Sequence, residues 1–512
     1  MKETGRTYTL PEQMEVTVLL SGLSAKYTVQ EGRASVSPLC YLDTFDWRLY
    51  DKGFICMRLG ESVYVLTDFT GEFKVQADGP VSQKLFAQDF AGDVLGEKLC
   101  LLAGIRALLP QVEIARQFQP FQIVNRDQKT VLSGSLELNQ LLRPNKKPIA
   151  LGGVLRIHGV RGYDKILARV ADMVQSRGAE AGYSEERILR LALAARGREP
   201  LEYRSQFFII LDPAETVVGA AQKIFLQLLE GMDRNTPGII EDIDSEFLHD
   251  FRVALRRTRS LLGSIKKMLP AADVDLFQRG LQKIGLVTGP VRDLDVYLLK
   301  KDVYRSLLPE GLQEGLSIFF KDMARQRLKE RQRLKKALLS KSFQQFLMQW
   351  RRYVEDSLLS SAVAAGHKPC KKVAIKAIRK RLQSIMKDGA LIGPQSPDTD
   401  LHYLRIQAKK LRYLLEFYRS LFPEPAMDSL VKSLKKLQDN LGSFNDLSMQ
   451  QRMLAQYREG LAGVEKQKAV ASVLGALITH LHEEQAGVRQ KFKQTFAQFT
   501  GAENRNRLDL FS

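Results

Sequence analysis

Two short stretches of this chain carry a histidine followed by cationic side chains at the same spacing. The steps between neighbours are 3, 4 and 3 positions in both stretches. At about 100° per residue, this spacing places all four side chains in one stripe on a helix. Arginine offers paired N–H donors and lysine a mobile point charge, so the chemistry suits an extended anion. The stripes are His249, Arg252, Arg256 and Arg259 in the first stretch, and His402, Arg405, Lys409 and Arg412 in the second.

The second stretch repeats the first at a constant offset. His249 and His402 lie 153 positions apart, and the same offset pairs further residues over some fifty positions without a gap. Self-similarity of this length is typical of a duplicated structural unit. The additional pairs are two of cations, one of glycines and one of aspartates: Arg257 with Lys410, Lys283 with Lys436, Gly289 with Gly442, and Asp293 with Asp446.

The basic stripes have a simpler interpretation, because a run of cations on a helix is usually a solvated face. A histidine near a helix start is likewise more often a cap or a satisfied core group than a ligand. However, same-sign neighbours one turn apart destabilise a helix by a few tenths of a kcal/mol per pair. Both copies keep them, whereas a solvated face could carry any mixture of Lys, Glu and Gln. We therefore favour binding of a polyanion.

The repeated motifs resemble those of the CHAD family. The first copy has Leu-His-x-x-Arg-Val-x-x-Arg-Arg-x-Arg from Leu248, then Gly-Pro-Val-Arg-Asp-Leu-Asp-Val at Gly289–Val296. The second has Lys-Lys-Leu-Arg-Tyr at Lys409–Tyr413 and Leu-Gly-x-x-Asn-Asp at Leu441–Asp446. The resemblance covers roughly residues 205 to 500. It implies two antiparallel helical bundles related by pseudo-twofold symmetry that bind inorganic polyphosphate along a basic channel. The predicted binding residues are His249, Arg252, Arg256, Arg257, Arg259, Lys283, His402, Arg405, Lys409, Lys410, Arg412 and Lys436.

Composition agrees with an acidic partner. The chain has 512 residues and a net charge of +19, of which residues 1–200 carry +3 and the rest +16. This length predicts two or three domains. Four cysteines without metal-ligand spacing indicate reduced thiols and no zinc site. No signal peptide or apolar run long enough for a membrane span is found. We therefore expect no membrane partner and a cytoplasmic location, with polyphosphate granules as a candidate site there.

The N-terminal part shows short apolar alternation broken by Gly, Pro, Asp and Asn, which is typical of strands. The strand candidates are Met14–Leu20, Val63–Thr67, Phe73–Gln76, Phe121–Val124, Ser135–Leu138 and Val154–His158, with helices expected at Leu99–Leu109 and Gly162–Arg177. We predict an α+β domain at residues 1–200, built on an antiparallel β-tunnel or barrel. An all-α domain of two pseudo-symmetric bundles follows at 201–512, with repeats at about 205–355 and 356–500.

Tyr41-Leu-Asp-Thr-Phe-Asp-Trp-Arg-Leu49, Met57-Arg58 and Arg161-Gly-Tyr-Asp164 resemble the CYTH family of triphosphate tunnels. The resemblance implies hydrolysis or cyclisation of triphosphates with a carboxylate-held divalent metal. The family's first strand carries Glu-x-Glu-x-Lys, whereas the best match here is Glu15-x-Thr17-x-Leu19. Glu137-x-Asn139 also keeps one acid of a possible pair. Because Mg²⁺ needs several oxygen ligands, we expect a degenerate, non-catalytic domain and no cofactor. Magnesium would be required only if this domain were active.

The sequence is therefore compatible with three functions. The favoured one is binding of inorganic polyphosphate by the repeat region, with the N-terminal domain as an assistant or scaffold. The second is a metal-dependent inorganic triphosphatase that uses the N-terminal domain. The third is nucleic-acid binding, which is less favoured because only Tyr403 and Tyr413 are interleaved with the basic rows for base stacking.

Overall fold

The computed structural model describes residues 5–12, 16–461 and 465–501. The chain divides into two compact units, Met1–Ser205 and Gln206–Ser512. The first unit contains the strands and the second is helical. An antiparallel sheet domain followed by an all-α domain confirms the predicted fold class.

The first unit is built on one sheet whose strand pairs are all antiparallel. Among the described residues it has ten strands, in the order β10-β1-β9-β8-β7-β3-β4-β5-β6, and β2 pairs with β7. The strands are β1 (Gly5–Leu10), β2 (Thr28–Glu31), β3 (Ser35–Thr44), β4 (Phe54–Leu59), β5 (Val63–Asp68), β6 (Lys74–Asp78), β7 (Leu108–Val124), β8 (Thr130–Arg143), β9 (Lys146–Gly159) and β10 (Glu180–Ala181). The helices are α1 (Val16–Ser24), α2 (Arg48–Asp51), α3 (Val94–Ala103), α4 (Asp164–Gln175) and α5 (Glu185–Ala194).

Helices cover both faces of this sheet, because successive side chains of a strand point to opposite faces. In β3, Leu39 and Tyr41 belong to the core formed with α5, whereas Cys40 and Leu42 belong to the core formed with α3. A third core joins α1 and α4 to the strands β1, β7, β8 and β9. The face that packs against α5 therefore carries one of the hydrophobic cores.

Two predictions for this unit are wrong. Val16–Ser24 is the helix α1 rather than part of a strand over Met14–Leu20, and the first strand is Gly5–Leu10. A short apolar run fits a strand or a buried helix equally well, and Leu19, Leu20 and Leu23 are buried at helical spacing. Of the proposed strand motif, Glu15 lies outside the described residues and Leu19 is a core residue of α1. The helix expected at Leu99–Leu109 ends at Ala103, before β7.

The second unit repeats one set of four long helices. The described helices of the first copy and its insertions are α6 (Val217–Glu241), α7 (Ser245–Ile265), α8 (Ala271–Leu298), α9 (Lys301–Ser306), α10 (Gln313–Leu338) and α11 (Lys341–Arg352). Those of the second copy are α12 (Cys370–Ala390), α13 (Asp398–Phe417), α14 (Glu424–Glu459) and α15 (Glu465–Phe499). The helices α6, α7 and α8 begin 153 positions before α12, α13 and α14, respectively. The predicted duplication is thus preserved in the helix starts.

Local chemistry sets the start of α7, which carries the first basic stripe. The Asp244 carboxylate accepts hydrogen bonds from the backbone N–H of Glu246 at 2.8 Å and of Phe247 at 3.3 Å. An aspartate at this position satisfies donors that have no partner within the helix. Phe247, Phe251 and Leu255 form the buried, apolar face of the helix. The cap and the apolar face together fix which residues remain for the basic stripe.

The two copies share a hydrophobic core. Tyr304, Phe319 and Phe320 of the first copy pack in one cluster with Leu454 and Leu474 of the second. The ring of Phe319 meets that of Tyr457 edge-on, with 5.0 Å between centroids. Burial of this surface couples the copies, so we expect the helical unit to unfold in a single transition.

The variant Phe319→Ala tests this coupling. Phe319 is fully buried, and replacing such a ring by Ala lowers the free energy of unfolding by about 3–5 kcal/mol. Urea denaturation followed by circular dichroism should show one transition at a lower midpoint. Leu328→Ala is the control, because Leu328 is 53% exposed on α10. Two separate helical transitions in the wild-type protein would contradict a shared core.

Candidate functional site

The helices α7 and α13, which carry the two basic stripes, are bound to each other by an ion pair. The guanidinium of Arg257 donates from Nη2 to Glu416 Oε2 at 2.7 Å and from Nε to the same oxygen at 3.1 Å. Both side chains are mostly buried. Charged hydrogen bonds of this kind are short and directional. The pair therefore fixes the stripes of the two repeats next to each other.

Four cations of the two stripes form what we call the interrepeat cluster: Arg252 and Arg256 of α7, and Arg405 and Lys409 of α13. Burial, followed by repulsion from Arg405 and Arg256, lowers the pKa of Lys409 to about 8. Burial also lowers the pKa of Arg405, where Asp446 opposes the shift and Arg256 adds to it. Arg256 thus acts on cations of the other repeat, and the two stripes form one region of positive potential.

Hydrogen bonds hold two members of the cluster in place. Arg252 Nη1 donates to the carbonyl of Gly285 at 3.0 Å and to Thr288 Oγ1 at 2.8 Å, both on α8. Arg405 Nη2 donates to Asp446 Oδ1 of α14 at 3.2 Å. Each guanidinium has five N–H donors, so these contacts orient the groups and leave further donors for a ligand.

The cluster has more donors than the described residues satisfy. The Nε atoms of Arg252, Arg256 and Arg405 are buried and have no hydrogen-bond partner in the described part of the chain. Within that part, neither Arg256 nor Lys409 forms an ion pair with an acidic side chain. Buried polar groups normally have partners, and cations this close are mutually destabilising. An anion would supply the negative charge that Arg256 and Lys409 lack among the described residues.

The outer members of the stripes are more accessible. Arg259 and Arg412 are exposed, and Arg412 Nε donates to Glu416 Oε1 at 2.6 Å. His402 is exposed, and its Nδ1 lies 2.5 Å from Asn445 Oδ1. His249 occupies the equivalent position near the start of α7 and is half-buried. These residues extend the stripes beyond the cluster at both ends.

Four of the predicted residues lie outside both stripes. Arg257 pairs with Glu416 and lies over the ring of Phe207, 5.3 Å from its centroid. Burial and the neighbouring Arg381 of α12 lower the pKa of Lys410. Lys436 is exposed on α14, and Lys283 lines a groove of about 540 Å³ between α8, α10 and α11. The structure therefore separates the eight stripe residues from these four.

Sequence reasoning missed Glu416, which contacts both Arg257 and Arg412. One signal was available, because Glu416 follows Arg412 by one helical turn, where the first repeat has Gly263. Two further acids, Asp446 and Asp295, are engaged with arginines. Asp446 pairs with Arg405, and Asp295 pairs with Arg327 of α10.

The first unit holds a different set of charged groups, on the sheet face that packs against α5. Arg116 of β7 pairs with Glu185 of α5 at 2.6 Å and lies 3.8 Å from Glu137 of β8. Glu137 also pairs with Arg156 at 3.1 Å. Although burial opposes the charged form of Glu185, its contacts with Arg116 hold the pKa of that carboxyl below its usual value. Acids and bases in this network neutralise one another.

The network is closed by hydrogen bonds from uncharged groups. Arg116 Nε donates to Asn139 Oδ1 at 2.7 Å, and the hydroxyls of Tyr41 and Tyr183 donate to the two Glu185 oxygens. Glu137 and Asn139, considered above as remnants of a metal-binding pair, are therefore engaged with arginines. Among the described residues, no group of three or more His, Cys, Asp and Glu side chains is arranged to hold a metal ion.

Comparisons with known proteins identify the helical unit. Residues 223–455 match the model of the CHAD domain family. The helical unit is therefore similar to a CHAD domain. The crystal structure of the CHAD domain from the plant Ricinus communis is similar at 23% identity and a TM-score of 0.50, covering 57% of this chain and 96% of that one. This likeness shows a shared fold. No curated protein matches the chain.

Two further solved structures are less similar. PptA from Streptomyces chartreusis has 16% identity and a TM-score of 0.44, covering 55% of this chain and 99% of that one. HpAC1 from Hippeastrum, a protein with a dominant triphosphatase activity, has 12% identity and a TM-score of 0.24, covering 40% of this chain and all of that one. Across residues 5–12, 16–461 and 465–501, every helix is too short or too polar to cross a bilayer.

The charge state of Lys409 gives a test of the cluster's electrostatics. Its pKa of about 8 in the folded protein lies below the value of about 10.4 expected when the chain is unfolded. The unfolded chain therefore binds more protons between these pH values, and stability should rise with pH across this window. Replacing Lys409 by Met should raise the free energy of unfolding at pH 7 by on the order of 1 kcal/mol and flatten that rise.

Urea denaturation of both proteins at pH 7, 8, 9 and 10 would measure these effects. The control is Lys436→Met, which removes an exposed lysine of α14 and should change stability by less than about 0.5 kcal/mol. A Lys409→Met variant that is less stable than the wild-type protein at pH 7 would show that the cluster is not under repulsive strain.

Proposed function

We propose that the helical unit binds inorganic polyphosphate through the interrepeat cluster and its flanking stripe residues. The observation that carries the proposal is the electrostatic coupling of Arg256 with Arg405 and Lys409 across the repeats. After burial, Arg256 is among the causes that lower the pKa of Arg405 and of Lys409 on the other helix. The described residues supply no carboxylate to Arg256 or Lys409. A chain of phosphates offers negative charge at regular intervals along its length. It can therefore meet cations of both helices at once.

The chemistry of the side chains favours phosphate oxygens over other acidic groups. Arginine recognises phosphate through two parallel N–H donors, and lysine adds a mobile charge. Arg252 and Arg405 are oriented by contacts to α8 and α14, so less freedom is lost on binding. The order of accessible residues along each stripe gives an extended anion successive partners. Such binding should weaken steeply with salt, as counterions released from the polymer return.

Nucleic acid is the rival ligand for the same cations. Of the aromatic residues among the basic rows, Tyr403 is exposed and Tyr413 is half-buried, with its ring stacked against Phe417 at 6.3 Å between centroids. Single-stranded nucleic acids usually bind through several stacked bases as well as phosphate contacts. Competition between long-chain polyphosphate and single-stranded DNA at the same salt concentration separates the two ligands. Preferential retention of DNA would overturn the proposal.

We expect a variant that removes the four charges of the cluster to lose polyphosphate. The changes are Arg252→Gln, Arg256→Gln, Arg405→Gln and Lys409→Gln. Loss of about four phosphate contacts should reduce the slope of log Kd against log salt by about 3 and weaken binding at low salt. Fluorescence anisotropy with labelled long-chain polyphosphate measures both, and far-ultraviolet circular dichroism checks that the helices are intact.

The matched control removes four exposed lysines away from the stripes: Lys266→Gln, Lys267→Gln, Lys301→Gln and Lys341→Gln. It changes the net charge by the same amount, so an unspecific attraction would be weakened equally in both variants. Retention of polyphosphate by a folded cluster variant would place the binding site elsewhere on the protein.

The N-terminal unit is proposed to be non-catalytic. Glu137, the acid kept from a possible metal-binding pair, is held by Arg156 and lies close to Arg116. Arg116 in turn pairs with Glu185 of α5. A triphosphate would have to displace Glu185 from Arg116, and a divalent metal would have to compete with two arginines for Glu137. Both steps oppose binding of a metal–triphosphate complex at this face.

We therefore expect the wild-type protein to release no orthophosphate from tripolyphosphate in the presence of Mg²⁺ or Mn²⁺. Malachite-green detection of orthophosphate measures the release, and Glu15→Ala and Glu137→Ala variants identify its source. Orthophosphate release that is abolished by either substitution would instead support a metal-dependent triphosphatase. Release that survives both substitutions would point to a contaminating activity or another site.

A further inference from the structure

The helix α12 carries a second set of cations that the interrepeat cluster does not include. Its 21 residues, Cys370–Ala390, contain seven Lys and Arg and one Asp. Lys372, Lys376 and Lys380 are exposed and follow one another at intervals of four residues. At 1.5 Å per residue, consecutive lysines are about 6 Å apart along the helix axis. We call these three residues the α12 stripe.

The positive charges of the α12 stripe are not neutralised by acidic side chains of the described residues. Among the described residues, Lys372, Lys376 and Lys380 form no ion pair or hydrogen bond with an acidic side chain. Lysines one turn apart repel each other. The first turn of α12 contains Lys371 and Lys372 and no acid, although the partial positive charge at a helix N-terminus disfavours cations there. The helix therefore keeps these lysines at a cost to its own stability.

Several cations of the first repeat are compensated by acidic side chains. The equivalent helix of the first repeat, α6, has two Lys and Arg against three Asp and Glu. Its Lys223 pairs with Glu215 at 2.8 Å, and its Arg234 pairs with Glu230 at 2.8 Å. On α10, Arg327 and Arg331 both pair with Asp242. The uncompensated row on α12 thus has no counterpart on α6, the equivalent helix of the first repeat.

Cations connect the interrepeat cluster with this helix. Lys409 of the cluster is followed on α13 by Lys410, which lies about 100° farther round the helix and within the field of Arg381 on α12. The guanidinium of Arg381 donates to Gln407 of α13, so α12 and α13 are in contact there. Arg381 is the chain neighbour of Lys380, the last residue of the α12 stripe. Lys410 and Arg381 therefore form a bridge between the two basic regions.

We infer that the α12 stripe binds the continuation of a polyphosphate chain whose other segment occupies the interrepeat cluster. This inference rests on the proposed function and adds a preference for long chains. Lysine suits this role because a mobile point charge can follow a flexible polymer without a fixed geometry. Insertion into a membrane surface is disfavoured, because an interfacial helix buries an apolar face in the lipid. The apolar face of α12, formed by Ala374, Ile378, Leu382 and Ile385, is already buried in the protein.

The test compares tripolyphosphate with long-chain polyphosphate in the full-length protein. The variant Lys372→Glu, Lys376→Glu, Lys380→Glu reverses the stripe. For the long chain, the slope of log Kd against log salt should fall by about 2, as three phosphate contacts are lost, and affinity at low salt should fall at least tenfold. For tripolyphosphate, the change should be less than about twofold, because the interrepeat cluster is intact. Isothermal titration calorimetry at several salt concentrations measures both ligands.

A matched control reverses three exposed cations at the same four-residue spacing on α10: Lys321→Glu, Arg325→Glu and Lys329→Glu. An equal loss of long-chain affinity in the control would show a general effect of net charge and overturn the inference. The inference also fails if the stripe variant keeps the wild-type affinity for the long chain. A long chain binds more tightly than a short one for statistical reasons alone, so the comparison between variants is the decisive one.

The two proposals fail in different ways. If the wild-type protein binds neither ligand, or if the four-charge cluster variant binds both normally, the proposed function is wrong. If the cluster variant loses both ligands while the stripe variant loses neither, only the inference about α12 is wrong. Vesicles of phosphatidylserine and phosphatidylcholine, and single-stranded DNA, complete the set. Loss of either of these partners by the stripe variant, with long-chain polyphosphate unaffected, would assign the stripe to that partner instead.

Discussion

In the helical unit, packing holds like-charged side chains close together where its two repeats are in contact. Arg256 and the pair Arg405 and Lys409 would separate if each helix were free to turn, because repulsion and loss of hydration both oppose their proximity. The buried ion pair of Arg257 with Glu416 and the shared apolar core of α10, α14 and α15 prevent this separation. Stability from packing is thereby used to maintain an electrostatic arrangement that is unfavourable in the absence of a ligand.

The first unit contains the same residue types and reaches the opposite outcome. Arg116 and Arg156 are matched by Glu185 and Glu137, and the tyrosines around Glu185 complete its hydrogen bonds. The difference is topological. In the sheet, acids and bases on neighbouring strands and on α5 converge on one face, whereas in the helical unit the described residues supply no acid to Arg256 or Lys409. Charge content alone would not distinguish these two environments; the partners of each charge do.

Much of the helical unit could be predicted from the sequence, because duplication gives two independent readings of one pattern. The constant offset between His249 and His402 defined the stripes, and the observed starts of α7 and α13 preserve it. Aspartate is a preferred cap, so Asp244, directly before Ser245, also indicates where α7 begins. The ion-pair partners of individual charged residues could not be predicted from the sequence. Arg257 pairs with Glu416 and is therefore not available to a ligand. This pairing depends on how α7 packs against α13, which the local spacing of residues does not determine.

The first unit was harder to predict for a physical reason. The apolar run that contains Leu19 and Leu20 fits either a strand or a buried helix, and the sheet on which α1 packs decides between them. The coverage of one sheet face by α5 also depends on contacts distant in sequence, since Ile188 and Leu189 pack against residues of β3 and β4.

Because the two copies lie in one polypeptide, the two ends of the basic stripes need not carry the same residues. Glu416 lies beside Arg412 in the second copy, whereas the matching position of the first copy is Gly263. Two identical chains related by a symmetry axis would have to carry the same residue at both ends, and a polymer threaded between them would find entrance and exit alike. A single chain with two copies is free of that requirement, so the residues at the two ends of the basic stripes can differ, as Glu416 and Gly263 do.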